Sequence, residues 1–209
     1  MYTQSGRSMV EMLGVLAIIG VLSVGAIAGY SKAMMKYKLN KHAEQMNTVI
    51  NAIARNAHNF NNIKEGSVDL TETFIKMGEI PTEMIKSGDT NIYDIFGQAW
   101  YIIINSNNTM IFLHSRDNTS LRSSSYNNLA MCQSIFTTAK VNADNLYYIT
   151  AISNYGNENK ISNPYYGDEH CDNQSYKCLR NLTVEDIYTA CTANKNVNDP
   201  IYFQITWLK

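Results

Sequence analysis

The sequence predicts an α+β chain in which one long N-terminal helix lays its second half on an antiparallel β-sheet. Three observations carry this. Residues 9–28 are an unbroken apolar run with a single charge, Glu11. After Ser31 the apolar positions Met46, Val49, Ile50, Ile53, Ala57 and Phe60 recur at three- and four-residue spacing, the period of a one-sided helix. Further on, Ala99-Trp100-Tyr101-Ile102-Ile103-Ile104 and Thr109-Met110-Ile111-Phe112-Leu113-His114 flank Asn105-Ser106-Asn107-Asn108, a hairpin by composition and turn chemistry.

The helix is expected over residues 8–60, apolar all round in its first half and amphipathic in its second. About 20 residues at roughly 1.5 Å each span roughly 30 Å, the thickness of bilayer hydrocarbon. Gly14, Gly20, Gly25 and Gly29 each weaken this half by about 1 kcal/mol relative to alanine, while letting neighbouring helices approach closely. A carboxylate in such a run is costly, so Glu11 is a functional-site candidate in want of a partner.

Residues 61–67 read as a loop and residues 70–77 as a short helix ended by Gly78. Residues 116–125 are polar and serine-rich, a loop. Leu129, Cys132, Ile135, Phe136 and Ala139 share one face of a helix over residues 126–140. A strand is expected at 146–152 and a long loop at 153–181. Thr183, with Asp186 three residues on, opens a helix with a capping box, and Cys191 lies in its last turns. After Pro200, residues 201–207 form a closing strand.

Composition bounds the class. The chain has 209 residues, 45% of them hydrophobic and 17% charged, with net charge −1 and pI near 6.4. Outside the apolar helix there is room for one globular domain with its own core. The near-neutral balance gives no general attraction to nucleic acid. Four cysteines, Cys132, Cys171, Cys178 and Cys191, follow the apolar run, and an even count suggests two disulfides formed in an oxidising compartment, with three connectivities open. Cys171 and Cys178 bracket a short loop; Cys132 and Cys191 would then close a long one. Zinc is the rival reading, with His170 nearby, but a close Cys-x2-Cys pair is lacking.

Lys32, Lys36, Lys38 and Lys41 follow the apolar run and only Arg7 precedes it, so the positive-inside rule alone would keep the domain in the cytoplasm. The cysteines point to the other side, and the reading follows them. The lysines are read as a solvated face. No Gly-x-Ser-x-Gly, phosphate loop, His-Glu-x-x-His or dinucleotide fingerprint occurs, and His42, His58, His114 and His170 are dispersed. The chain is therefore read as no enzyme, with no cofactor. Asp168, Glu169 and Asp172 read as a solvated acidic loop, with calcium as the competing reading.

The N-terminus, Met1-Tyr2-Thr3-Gln4-Ser5-Gly6 followed by Arg7-Ser8-Met9-Val10-Glu11 and the apolar run, resembles type IV prepilins, most closely type IVb pilins. A short polar leader ends in glycine, and glutamate is fifth in the chain that follows. The resemblance implies a leader over residues 1–6, a transmembrane and filament-core helix over 7–30, and a globular domain over 31–209 with a pilin-like roll. It also implies cleavage between Gly6 and Arg7 by a prepilin peptidase and N-methylation of Arg7. Glu11 would then pair with the new amine of an adjacent subunit, and identical or related pilin subunits would assemble on an inner-membrane platform. The expected function is a structural pilus subunit for adhesion, aggregation, motility or conjugation, held in the inner membrane as precursor and extracellular as the fibre. The alternatives are a type II secretion pseudopilin and an anchored binding or adhesion protein that never polymerises. A cysteine-bearing helix joined to a late cysteine before the last strand also resembles the disulfide-bounded region of type IVb pilins.

Overall fold

The computed structural model describes residues 9–60, 66–105, 110–114, 121–122, 126–155, 158–161, 163–172, 174–192 and 200–207. The chain divides into two units, Met1–Lys38 and Leu39–Lys209. Helix α1 runs Met9–Asn56 and closes in a 3-10 turn, Ala57–Asn59. This is close to the expected span, with Phe60 the first residue to leave helical geometry.

In the first unit the described residues are helical and none of them is buried. In the second unit, α1 buries His42, Gln45, Met46, Val49, Ile50, Ala52, Ile53 and Asn56, a stripe at helical spacing. Met46, Val49, Ile50 and Ile53 share one core with Trp100, Ile102, Ile104 and Phe112 of the sheet.

Among the described residues nine strands form that sheet, all pairings antiparallel. They are β1 (Ser67–Asp69), β2 (Ile92–Tyr93), β3 (Ala99–Asn105), β4 (Met110–His114), β5 (Leu121–Arg122), β6 (Tyr148–Tyr155), β7 (Glu158–Ile161), β8 (Tyr165–Tyr166) and β9 (Pro200–Trp207). The path is β1-β3-β4-β9-β6-β7, with β2 on β3, β5 on β9 and β8 on β6. In β3, Trp100, Ile102 and Ile104 are buried while Tyr101, Ile103 and Asn105 are half-buried, the alternation of a sheet with one covered face. Register sets Ile102 opposite Phe112, so Trp100 meets Phe112 diagonally, with rings stacked at 4.7 Å.

Three helices complete the second unit: α2 (Thr71–Lys76), α3 (Tyr126–Val141) and α4 (Val184–Thr192). Helix α2 ends in a Schellman motif. Gly78, at φ +73°, donates to Ile75, and Glu79 donates to Phe74, satisfying carbonyls that the helix leaves open. Helix α3 buries Cys132, Ile135, Phe136 and Ala139 of the expected face and adds Met131, while Leu129 is only partly buried.

Two expected loops contain strands. The span 153–181 carries the end of β6, all of β7 and β8, and a 3-10 turn at Leu179–Asn181. Its strands escape sequence reading because Ser153-Asn154-Tyr155 and Glu158-Asn159-Lys160 have no apolar alternation; the pairing is made by the backbone. The pair Gly156-Asn157 between them was a usable hairpin signal. Likewise β5 falls inside the polar stretch 116–125 and pairs with β9. β1 and β2 are short additions to β3. The turn expected at Asn105-Ser106-Asn107-Asn108 lies, after Asn105, outside the described residues.

Helix α4 opens with the expected box. The Thr183 hydroxyl oxygen accepts the Asp186 N–H at 3.1 Å, and Asp186 Oδ2 accepts the Thr183 N–H at 2.9 Å. The Thr183 hydroxyl also donates to Asp186 Oδ2 at 2.6 Å, and this bond, with the backbone one, holds the Asp186 carboxyl below its ordinary 3.8. A depressed carboxylate stabilises the fold above that ordinary value, and the contribution disappears as pH falls through the lowered one. Asp186→Asn is expected to lower Tm by a few degrees near neutral pH and to flatten the acid limb of the stability profile. Thermal unfolding of both proteins across the acid range checks it.

Candidate functional site

The first candidate is the apolar N-terminal helix. Met9, Val10, Met12, Leu13, Val15, Leu16, Ile18, Ile19, Val21, Leu22, Val24 and Ile27 are each between 53% and 84% exposed. They surround the helix on every side, so no single covered face is implied. Burying such a side chain is worth about 1.5–3 kcal/mol, and twelve together are worth on the order of 20–30 kcal/mol. A surface of that size is stable only when covered, by lipid or by other apolar helices. Among the described residues this is the one helix long and apolar enough to cross a membrane.

Its polar groups suit an apolar surrounding. The backbone is bonded within the helix, and the Ser23 hydroxyl donates to the Ile19 carbonyl at 2.7 Å. Glu11 sits in the first turn of the described helix, exposed, and is the only charged side chain between Arg7 and Lys32. A carboxylate there is favoured by the helix dipole and remains available to a cation brought from outside. Gly6 and Arg7 lie outside the described residues.

The second unit holds α1 by polar contacts at three places. His42 and Asp94, both with fully buried side chains, stand 3.5 Å apart (Nε2 to Oδ2). Asp94 accepts N–H groups from Phe96 (2.8 Å), Gln98 (2.9 Å) and the Trp100 indole (3.0 Å). Gln45 accepts the Ile95 N–H at 2.9 Å, and His42 Nδ1 lies 3.3 Å from the Ser134 hydroxyl of α3. Lower on α1, Asn47 accepts the Asn142 amide at 2.8 Å. Arg55 pairs with Glu79 at 2.7 Å, and this hydrogen bond holds the Glu79 carboxyl below the usual range. Sequence reading passed over the His42–Asp94 group, whose members are 52 positions apart.

The cysteines form two disulfides, Cys132–Cys191 and Cys171–Cys178, one of the three connectivities the count allowed. The first joins the buried faces of α3 and α4. The second closes the acidic loop. With all four sulfurs bonded, no thiolate is offered to zinc.

The loop's carboxylates are separately engaged. Asp168 pairs with Arg180, whose Nε donates to it at 2.6 Å. Asp172 Oδ1 accepts the N–H groups of Tyr176, Gln174 and Ser175, each at 2.8 Å, which holds its carboxyl below the ordinary range. Glu169 instead lines a cavity of about 230 Å³ with His58, Asp144, Tyr147, His170 and Trp207. Among the described residues no group of three or more His, Cys, Asp or Glu side chains is placed to hold a metal ion. The histidines that look scattered in sequence partly converge, since His58 and His170 share this cavity.

Comparison with family models, with curated proteins and with solved structures yields no match for this chain.

The two disulfides should contribute unequally. Cys132–Cys191 spans 59 positions and Cys171–Cys178 spans 7. On loop-closure entropy the first is worth about 4 kcal/mol and the second about 2–3 kcal/mol. Replacing each pair by serine and measuring chemical denaturation of the domain should show the larger loss for Cys132→Ser with Cys191→Ser.

Proposed function

We propose that this chain is the structural subunit of a type IV pilus, most like type IVb pilins. Leader cleavage after Gly6 leaves Arg7 as the first residue, and a prepilin peptidase methylates its amine. The subunit waits in the inner membrane with its domain in the periplasm and passes through an assembly platform into an extracellular fibre. The observation that carries the reading is the N-terminal helix, apolar on every side with Glu11 as its single charge.

The mechanism follows from elementary energetics. An amine at Arg7 brought among apolar helices is a charge needing compensation. Glu11 of the neighbouring subunit supplies it, and the ion pair sets the stagger at which helices stack. Residues 9–28 then cover one another, and the hydrophobic effect holds the fibre core. The α+β layout of the second unit, with α1 against an antiparallel sheet, is in keeping with a pilin-like roll. The two disulfides are in keeping with a domain exported to an oxidising compartment.

The deciding experiment is intact mass and N-terminal sequencing of the protein in a sheared surface fraction. A chain beginning at methylated Arg7 and abundant there is the expected result. A cleaved chain confined to the envelope would transfer the reading to a secretion pseudopilin, and a chain beginning at Met1 would reduce it to a membrane anchor. Glu11→Ala is expected to abolish filaments in electron micrographs while leaving the domain folded and its disulfides formed. Normal filaments from that variant would overturn the ion-pair mechanism.

A further inference from the structure

We propose that the cavity between the end of α1, the turn before β6 and the loop after β8 binds a small organic cation, an alkylammonium or guanidinium group. The inference stands apart from filament assembly, because every residue of the site belongs to the second unit.

Charge is the first argument. Asp144 and Glu169 line the cavity, and no lysine or arginine does so among the described residues. Both acids are exposed at its mouth, so the cavity opens to solvent. The Asp144 carboxylate accepts the Asn145 amide at 3.4 Å, and Arg180, close enough to feel the Asp144 charge, is committed to Asp168. The cavity thus presents negative charge without an internal counter-ion. Such a site concentrates cations.

Aromatic walls are the second argument, and they distinguish an organic cation from a metal. The rings of Tyr147 and His170 stand perpendicular at 4.8 Å. Tyr147 is held in turn by Tyr148 at 5.2 Å and Tyr166 at 5.7 Å. Ring faces beside carboxylates attract ammonium and guanidinium groups through the quadrupole. A metal ion is held by several converging ligands, and among the described residues no three His, Cys, Asp or Glu side chains are placed to hold one together. Trp207 adds an indole that is 2% exposed, whose N–H has no hydrogen-bond partner among the described residues. An amine carrying a hydroxyl or carbonyl acceptor would satisfy that donor as well.

The site is built in advance. Gly167 passes so close to the preceding turn that a Cβ there would lie 1.8 Å from the Leu146 carbonyl oxygen. Its N–H donates to Tyr147 at 2.9 Å, and the Asp168 N–H donates to Ala143 at 2.9 Å. These bonds bring Glu169 and His170 against Asp144 and Tyr147. The volume, about 230 Å³, is below the roughly 300–1,000 Å³ of a drug-sized site, so the ligand is small.

The chain's two tryptophans make the test direct. The 15N-labelled full chain in detergent micelles gives two indole N–H resonances, with Trp100, bonded to Asp94, serving as internal control. Titration at about pH 8, where ordinary imidazoles are neutral, uses ethanolamine, the N-acetylated tripeptide Gly-Lys-Gly, and ethylene glycol as the uncharged control. Ethanolamine is expected to shift Trp207 saturably while Trp100 stays still. The double variant Asp144→Asn with Glu169→Gln is expected to bind about tenfold more weakly or worse, with the Trp100 signal unchanged as proof of folding. Response to ethanolamine alone identifies free amines as the ligand, and response to Gly-Lys-Gly identifies lysine side chains of a partner; either supports the proposal. No saturable shift with either amine, an equal response to ethylene glycol, or unaltered affinity in the double variant overturns it.

Discussion

The carboxyl group of Asp94 is the constraint on which the second unit depends. Its side chain is fully removed from water, a placement that costs several kcal/mol unless hydrogen bonds replace the lost solvent. The replacements come from the turn and from β3. Backbone N–H groups of Phe96 and Gln98 and the Trp100 indole approach from the sheet side, and His42 stands over it from α1. Gln45 secures the same turn through Ile95. Satisfying this buried acid fixes the turn and β3 in register, and Gln45 and His42 seat α1 against the same turn. Apolar side chains of the shared core, Ile50, Ile53, Trp100 and Phe112 among them, supply more energy but tolerate sliding. The Asp94 group does not.

Helix α1 carries two surfaces with different requirements. From residue 42 onward its apolar side chains fall on one stripe, which the sheet covers within the same chain. From residue 9 to residue 28 they fall on all sides, and no described residue of the first unit covers them. The same secondary structure thus serves a folded core in one unit and an intermolecular or lipid contact in the other. The difference lies in the distribution of polar residues. Asn47, Asn51 and Arg55 interrupt the later stretch and make specific bonds, whereas only Glu11 and Ser23 interrupt the earlier one with groups able to bond.

The C-terminal half illustrates how covalent and polar devices share the work. Cys132–Cys191 ties α3 to α4 inside the core, and Lys140 reaches the Leu182 carbonyl at 2.6 Å beside it. Cys171–Cys178 braces a loop with little apolar content of its own, since Asp168 and Asp172 must be satisfied by Arg180 and by backbone N–H groups. Fixing this loop against residues 143–147 is what creates the cavity and its aromatic wall.

The sequence by itself determined the features set by local periodicity and by short-range chemistry. The apolar run, the amphipathic stripe, the β3–β4 hairpin, the Gly78 stop and the Thr183–Asp186 box all depend on residues within a few positions of each other. The tertiary structure alone decided which cysteines pair, and that residues 153–155 and 158–161 form strands although their composition is polar. It alone brought His42 to Asp94, and His58 to Asp144, Glu169 and His170. Pairing of this kind is made by backbone hydrogen bonds and by side chains 50 to 110 positions apart, roughly, and neither leaves a period in the sequence to be read.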